Sequence, residues 1–305
     1  MLVSIIIRTL NEGKYLGELL TSINNQKKQD FEIEVVLIDS GSTDRTLEIA
    51  KDFGCKITFI TKDQFTFGKS LNMGSEYANG DIFVYISGHC VPVDIDWLRK
   101  LIEPITSKKA GYCYGRQIGR DTTKYSEDKL FQKYFPDYSK IPQHDFFCNN
   151  ANSAISARVW EELKFNESIT GLEDMDLAKR YFLNNGKIAY VSDACVYHIH
   201  DESWLQTRRR YEREAIALQN IMPEIHIGFF DMIRYLTLSI FSDSKDAIND
   251  KCFWKEFISI IKFRSAQYTG TYRGNHSHRV LSKRRKENYF YPNKNFRNVG
   301  ASLKN

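Results

Sequence analysis

The sequence has neither paired cysteines nor a long apolar run. Its six cysteines stand far apart and form no C-x-x-C pair, so we expect neither a zinc ribbon nor a compact disulfide scaffold. Arg8 interrupts the apolar run Leu2–Ile7 before it reaches the length of a signal segment or a membrane span. These absences predict a cytoplasmic protein, in a reducing compartment, without a transmembrane segment.

Common phosphate-binding and hydrolase motifs are also missing. The sequence holds no G-x-G-x-x-G, no G-x-S-x-G and no H-E-x-x-H. Gly68-Lys69-Ser70 matches the end of a P-loop, but Asp63 stands where that motif requires its first glycine. A dinucleotide-binding Rossmann site, a serine hydrolase elbow, a zincin and a P-loop are therefore excluded.

The composition is that of a globular chain with a small excess of positive charge. Hydrophobic residues make up 42% of the chain and aromatic residues 13%, which is enough for a buried core. The 43 basic and 38 acidic residues leave a net charge of +5, and seven of the basic residues fall between Arg279 and Arg297. We expect no nucleic-acid partner from so mild an excess, although a non-catalytic protein that binds nucleic acid through this basic tail stays an alternative.

Short β-branched runs alternate with helical patterns over the first hundred residues. The strands predicted there are Val3–Ile7, Glu34–Ile38, Lys56–Ile60 and Ile82–Ile86. This alternation predicts an α/β fold with a mostly parallel, Rossmann-like sheet flanked by helices. Further along we expect loops over residues 119–150, strands at Ala151–Ser156 and Ala194–Tyr197, and helices at Glu173–Asn185 and Ser203–Met222.

Polar residues follow three of the predicted strands directly. These clusters are Arg8–Glu12, Asp39–Asp44 and Ser87–Cys90. Ligands of open α/β sheets bind beyond the carboxyl ends of the strands, so three clusters at one sheet edge predict a single ligand crevice. The alternative is that the clusters only cap helices and close turns.

Three segments carry a resemblance to a known family. The segments Val3–Glu12, Val36–Asp44 and Gly171–Arg180 resemble glycosyltransferase family two, which has the GT-A fold, and the resemblance covers residues 1–210. It implies inverting transfer of a hexose or deoxyhexose from a nucleotide-diphosphate sugar donor. Phe67–Gly74 and Ser87–Pro92 look most like a bacterial, rhamnosyltransferase-like branch that builds surface glycan of the O-antigen, capsule or lipopolysaccharide type.

The sequence changes after Pro223 to apolar, aromatic-rich helical segments, and this change predicts a division of the chain. A GT-A catalytic domain would span residues 1–222, with a nucleotide-binding half at 1–100 and an acceptor-binding half at 101–222, and a helical extension with the basic tail would span 223–305. A nucleotidyltransferase is the competing enzyme class, but it needs a glycine-rich basic loop where Thr9–Glu12 stands.

By resemblance, Asp39 reads the base of the donor and Thr9 flanks that base. The complete set expected to bind the nucleotide sugar is Thr9, Asn11, Glu12, Asp39, Lys69, Asn72, Ser87, Gly88 and His89.

The family usually carries Asp-x-Asp after the fourth strand, whereas this chain has Ser87-Gly88-His89. Imidazole is a ligand for manganese, so we expect His89 to hold a divalent metal, Mn²⁺ or Mg²⁺. Of His198 and His200 we expect only one to face the site, and we favour His198 as the second ligand. The alternative is that these histidines lie in the core or on the surface.

Glu173 and Asp174 begin a predicted helix. Helix amides stabilise a carboxylate at this position as the anion. The resemblance implies that Asp174 is the general base and that Glu173 is its neighbour in acceptor binding. Asp176 is expected only to pair with Arg180, four residues on.

Two apolar helical segments, Gly228–Phe241 and Phe253–Phe263, precede the basic run Lys283–Lys286. They are expected to pack on the catalytic domain, to form a homodimer, or to contact a membrane surface peripherally. Membrane contact would suit a glycan acceptor that is lipid-linked. A solvated charged tail is the alternative.

Overall fold

The computed structural model describes residues 1–28 and 30–278, which contain eight strands and ten helices. The strands are β1 Leu2–Thr9, β2 Glu32–Asp39, β3 Lys56–Phe59, β4 Ile82–Ser87, β5 Cys90–Pro92, β6 Tyr112–Ile118, β7 Asn152–Ser156 and β8 Ile188–His198. The helices are α1 Leu16–Asn24, α2 Thr46–Asp52, α3 Phe67–Tyr77, α4 Trp97–Thr106, α5 Tyr125–Tyr134, α6 Ala157–Leu163, α7 Glu173–Leu183, α8 Trp204–Ile221, α9 Phe229–Asn249 and α10 Phe253–Asn275.

All eight strands belong to one sheet, in the order β3-β2-β1-β4-β7-β6-β8-β5. In its first half β1 pairs in parallel with β2 and β4, and β2 pairs in parallel with β3. The register sets Thr9 opposite Asp39 and Arg8 opposite Ser87. The predicted parallel α/β sheet is confirmed here, and the polar strand ends meet at one edge.

The second half of the sheet is mixed. β7 runs antiparallel to β4 and β6, whereas β8 is parallel to β6 and antiparallel to β5. β8 is much longer than the expected strand Ala194–Tyr197, because it lies between two partner strands. Its last residue, His198, pairs with Cys90 and so adjoins His89.

Helices cover both faces of the sheet. Ile5 and Ile7 belong to one buried cluster and Ile6 to the other, as alternation along a strand requires. Residues 119–150 were expected to be loops, and that expectation is wrong over Tyr125–Tyr134, which forms α5. The helical pattern there is hard to detect because this helix buries polar Ser126 and Glu127 beside Phe131.

The C-terminal helices pack on the rest of the chain. A Cβ atom at Gly270 would lie 2.3 Å from the Arg208 carbonyl oxygen, and one at Gly274 would lie 2.1 Å from that of Glu212, so α10 touches the backbone of α8. Arg264 of α10 binds Asp243 of α9 through bonds of 2.7 and 2.8 Å, and Asp243 also accepts a bond from Ser126. Of the three roles expected for this region, packing on the catalytic domain is therefore observed.

The proposed division at residue 222 falls between α8 and α9 and stays a prediction. The basic run Lys283–Lys286 lies outside the described residues. Across the part of the chain that the structure describes, every helix lacks the combination of length and hydropathy that a membrane span requires.

We expect Gly270→Val to separate α10 from α8 and to lower the free energy of unfolding by about 1–3 kcal/mol, the usual cost of overpacking. Thermal or urea unfolding measures the loss. Gly17→Ala is the matched control, because a Cβ there meets only Ile49, at 3.9 Å, and helix propensity favours alanine. Equal stability of the Gly270→Val protein and the wild type would contradict the tight contact.

Candidate active site

The loop after β2 is built around the buried carboxylate of Asp39. Its Oδ2 accepts bonds of 2.9 Å from the backbone amides of Gly41 and Ser42. Its Oδ1 accepts from Thr9 Oγ1 at 3.1 Å and from Ser42 Oγ at 2.5 Å. A carboxylate has room for about four such bonds, so Asp39 must release one of them to bind a ligand. The bonds from the Thr9 and Ser42 hydroxyl groups are the easiest to release, because each hydroxyl can turn away by rotation of its own side chain.

The loop after β1 is tied to the loop after β2. Asn11 Oδ1 accepts from the Thr43 amide at 2.8 Å, and the Asn11 amide donates to Ser42 Oγ at 2.8 Å. Asp44 accepts from the Thr46 amide at the start of α2, which is the capping role considered for this cluster. The polar residues at this sheet edge therefore cap a helix and also hold the two loops together around one crevice.

Three histidines converge beside these loops. Nε2 of His89 lies 3.2 Å from Nε2 of His198, and the ring of His200 is centred 4.1 Å from that of His198. One ring nitrogen from each histidine falls within 4.8 Å of the others. The expectation that only one of the late pair faces the site is wrong, because residues i and i+2 of an extended segment share a face. Sequence spacing alone was sufficient to find His200.

Each imidazole is held from behind through Nδ1. The partners are Glu12 Oε1 for His89 at 3.0 Å, Gln117 Oε1 for His198 at 2.7 Å and Glu127 Oε1 for His200 at 2.8 Å. Because these oxygens accept, each Nδ1 donates, and the Nε2 of a neutral imidazole then presents a lone pair. Oriented imidazoles with such partners are the usual ligands of a transition metal.

The contact between two Nε2 lone pairs is repulsive unless a cation lies between them. Their separation of 3.2 Å suits two nitrogens that bind one ion at about 2.1 Å each. Burial, the largest cause, also lowers the pKa of His198 and of His200 well below the usual value, which keeps both neutral. The residues present therefore fit a divalent metal, and imidazole ligands favour manganese or a later transition metal over magnesium.

Gly88 leaves room for this arrangement. A Cβ atom at that position would lie 2.8 Å from Cγ of Glu12, the residue that holds His89. Glu127 is held in turn, since its Oε1 also accepts from Arg210 at 2.6 Å. Gln117, Glu127 and Arg210 carry no signal in the sequence, because they belong to β6, α5 and α8 and to none of the motifs.

Glu173 and Asp174 open α7, as expected, and both are buried. Glu173 Oε1 binds Arg8 at 3.2 Å. Asp174 accepts bonds of 2.8 Å from the amides of Asn150 and Met175, which leaves each oxygen further capacity. The neighbouring Asn149 accepts from Gln117, so hydrogen bonds connect the region of Asp174 to His198.

Burial sets the protonation of Asp174 more than the helix does. Desolvation, and then the charge of Glu173, raises the pKa of Asp174 to about 7, while Arg8 opposes this shift. The expectation that the helix N-terminus keeps this carboxylate fully ionised is therefore corrected. A carboxylate that titrates near neutral pH is better suited to accept a proton than an ordinary aspartate.

The two residues expected on α3 have different environments. Asn72 is buried and uses its whole amide inside the protein, donating to Phe165 and Glu167 and accepting from Trp160 and Phe165. It fastens α3 to the segment before α7, so its role in donor binding stays a prediction. Lys69 lies half-buried in the first turn of α3, and Ser87 ends β4 opposite Arg8.

Polar side chains collected beyond the carboxyl ends of parallel strands form the kind of edge at which open α/β sheets bind ligands. The family described as Glycosyl transferase family 2 matches residues 4–163, more than half of the chain. The chain belongs to this family, which confirms the expected GT-A glycosyltransferase.

Two curated relatives illustrate the match. The O-antigen chain rhamnosyltransferase RfbN of Salmonella typhimurium is 26% identical over 224 residues, which cover 69% of this chain and 70% of RfbN. The poly(ribitol-phosphate) beta-N-acetylglucosaminyltransferase TarS of Staphylococcus aureus is 22% identical over 255 residues, which cover 81% of this chain but only 42% of TarS.

Solved structures share the fold. The mannosyltransferase PcManGT from Pyrobaculum calidifontis, in complex with GDP-Man and Mn²⁺, superposes with a TM-score of 0.56 at 16% identity, over 92% of this chain and 75% of that one. Glucosyl-3-phosphoglycerate synthase from Mycobacterium tuberculosis, in a complex that contains Mn²⁺ and UDP, gives 0.54 at 18% identity, over 72% and 78% of the two chains.

We expect His200→Ala to weaken Mn²⁺ binding at least tenfold, because one of three imidazole ligands is lost. Calorimetric titration of the metal-free protein with MnCl₂ measures the effect. His144→Ala is the matched control, since His144 lies outside the histidine cluster. Equal affinity of the His200→Ala protein and the wild type would leave His89 and His198 as the only histidine ligands.

Proposed function

We propose that this glycosyltransferase moves a hexose or deoxyhexose, with inversion, from a nucleotide-diphosphate sugar to a hydroxyl group of a growing bacterial surface glycan. The observation that carries the proposal is the convergence of two groups at one sheet edge. One is the triple-histidine cluster, and the other is the Glu173-Asp174 pair with a carboxyl that titrates near neutral pH. The relationship to RfbN supports the surface-glycan acceptor.

The donor is proposed to bind with its base beside Thr9 and Asp39 and its diphosphate beside the Ser87–His89 loop. Asn11 and Glu12 hold the loop that forms this wall, and Lys69 adds positive charge near the start of α3. A divalent metal held by His89, His198 and His200 supplies charge stabilisation to the leaving diphosphate when bound.

Asp174 is proposed to take the proton of the acceptor hydroxyl. As the acceptor oxygen bonds to the anomeric carbon, the bond from that carbon to the diphosphate breaks, and the hydroxyl proton passes to a carboxylate oxygen of Asp174. Glu173 stays paired with Arg8, so its role is to hold the site beside the base. A cavity of about 520 Å³ adjoins both His198 and Met175, the residue next to Asp174, and offers space for sugar rings.

The acceptor is proposed to be a glycan. If α9 contacts a membrane, a glycan that is linked to a lipid would lie within its reach. One face of α9 exposes an apolar stripe that consists of Phe230, Ile233, Leu238, Phe241 and Ile248. Arg234 and Lys245 are on the same helix, and the basic run Lys283–Lys286 follows in the sequence. Exposed aromatic residues beside positive charge suit an anionic bilayer surface, and we propose peripheral contact there, at the cytoplasmic face.

We expect Asp174→Asn to lower turnover about 10²–10⁴-fold, because the amide keeps the shape of the side chain but accepts no proton. The assay measures release of nucleoside diphosphate from a panel of nucleotide sugars, with a glycan acceptor and Mn²⁺. Wild-type activity should fall about tenfold per pH unit below pH 7, since protonation removes the base form. The variant should lose that dependence.

Asp176→Asn is the control for this experiment. Asp176 opens the same helix but binds Arg180 at 2.9 Å, and should stay near wild-type turnover. More than a tenth of wild-type turnover in Asp174→Asn would show that Asp174 is not the base. A panel in which no nucleotide sugar is consumed would contradict the proposed function itself.

We expect Phe230→Ser together with Phe241→Ser to weaken binding to phosphatidylglycerol vesicles about tenfold or more, because each phenyl ring inserted in the bilayer contributes about 1.5–3 kcal/mol. Vesicle co-sedimentation measures the loss. Leu183→Ser, on α7, is an exposed apolar control. A wild-type dimer that the same double substitution dissociates would assign the stripe to a homodimer and contradict membrane contact.

A further inference from the structure

A second cavity, lined by charged residues, lies beside the loop that precedes the Glu173-Asp174 pair. It has a volume of about 410 Å³ and is formed by the loop before α7 together with α8 and α10. Its walls carry four arginines, Arg208, Arg209, Arg213 and Arg273, with Thr170 and Glu212. None of the three histidines and no residue of the Ser87–His89 loop lines it.

The walls of this arginine pocket carry more positive than negative charge. Glu212 is its single acid, and it lies 3.5 Å from Arg273. Arg208, Arg209 and Arg213 form no ion pair within 4.0 Å among the described residues. The Nε atoms of Arg208 and Arg213 are buried and have no hydrogen-bond partner. Leaving buried charged donors unsatisfied is costly, so the pocket is arranged for an anion.

Arg213 connects the pocket to the residues of the proposed acceptor side. Its guanidinium group lies 4.6 Å from the ring centre of Phe67, and that of Arg8 lies 4.7 Å from the same ring. Arg8 in turn binds Glu173. A Cβ atom at Gly171 would lie 3.7 Å from Arg213 Nε, so the pocket borders the turn that leads into the catalytic pair. Burial lowers the pKa of Arg213, and the nearby carboxylates of Glu214, Glu202 and Glu173 only partly oppose this shift.

We propose that the arginine pocket binds a phosphate group that the acceptor carries. Guanidinium groups recognise phosphate oxygens in a bidentate manner, and several together select a multiply charged anion. The cavity falls in the size range of small-ligand sites, which is enough for a phosphate and part of its substituent. The assignment to the acceptor rests on the proposed function, because the donor diphosphate is assigned to the histidine side.

Isothermal titration with inorganic pyrophosphate in excess EDTA tests the pocket without any metal. We expect Arg208→Gln with Arg213→Gln to weaken binding at least tenfold, and Arg213→Lys to weaken it less because the charge remains. Arg158→Gln is the control, since Arg158 is an exposed arginine outside the pocket that pairs with Glu162. Thermal unfolding of each variant verifies folding. No pyrophosphate binding by the wild type, or equal binding by the double variant, would overturn the proposal.

The His89→Ala protein separates this pocket from the donor site. It should bind pyrophosphate in EDTA as the wild type does, whereas loss of binding would put the anion at the histidine cluster and overturn the proposal. The phosphate could belong to a lipid-linked diphosphate or to the glycan itself, and a parallel titration with two further ligands distinguishes these sources. Tighter binding of farnesyl diphosphate assigns a lipid-linked diphosphate, and tighter binding of glucose 6-phosphate assigns a phosphate within the glycan.

The two proposals fail in different ways. If no nucleotide sugar is consumed but pyrophosphate binding depends on Arg208 and Arg213, the proposed function fails and the anion pocket stands. If sugars are transferred with dependence on Asp174 but pyrophosphate does not bind, the pocket fails alone.

Discussion

The pairing of β8 with β5 is the constraint on which the site depends. This pairing sets His198 opposite Cys90. Nε2 of His198 then lies 3.2 Å from Nε2 of His89, a residue 109 positions earlier in the sequence. The other neighbour of β8 is β6, whose register shifts between Gly115 and Gln117. A Cβ atom at Gly115 would lie 2.2 Å from a β8 carbonyl oxygen, so glycine allows this irregularity, and Gln117 beyond it reaches His198. A strand register thus determines both a candidate ligand and the group that orients it.

Burial acts in the same physical direction on the histidines and on Asp174, because it favours the neutral form of each. For His198 and His200 the neutral form is the one that binds a metal. For Asp174 the result is a pKa of about 7, which suits the role of base proposed for it. Burial therefore acts on the proposed ligands and on the proposed base alike, and the polar partners of each group keep it oriented.

The sequence was sufficient for the parts of the fold and site that are local. The strands of the first half, the helix that starts at Glu173 and the shared edge of Thr9 and Asp39 follow from periodicity and from the strand-end rule. Helix α5 was not predicted, because its buried face contains the charged residue Glu127. Only the contacts with His200 and Arg210 explain why Glu127 is buried. Such long-range polar pairing leaves no periodic signal, so the groups that hold the three histidines were not predictable from one sequence.

The C-terminal helices complete the site. The family match ends at residue 163, before Asp174, before β8 and before all of α8 to α10. Close packing at Gly270 and Gly274 sets α10 against α8, so that Arg273 reaches the arginine pocket while Tyr268 lines the cavity beside the histidines. Asp39, Ser87 and His89 therefore lie within the range that the family model matches, whereas Asp174, His198 and His200 lie beyond it. Under the proposed function, relatives with different acceptors are expected to differ in the packing of these helices and to agree at the strand ends proposed for the donor.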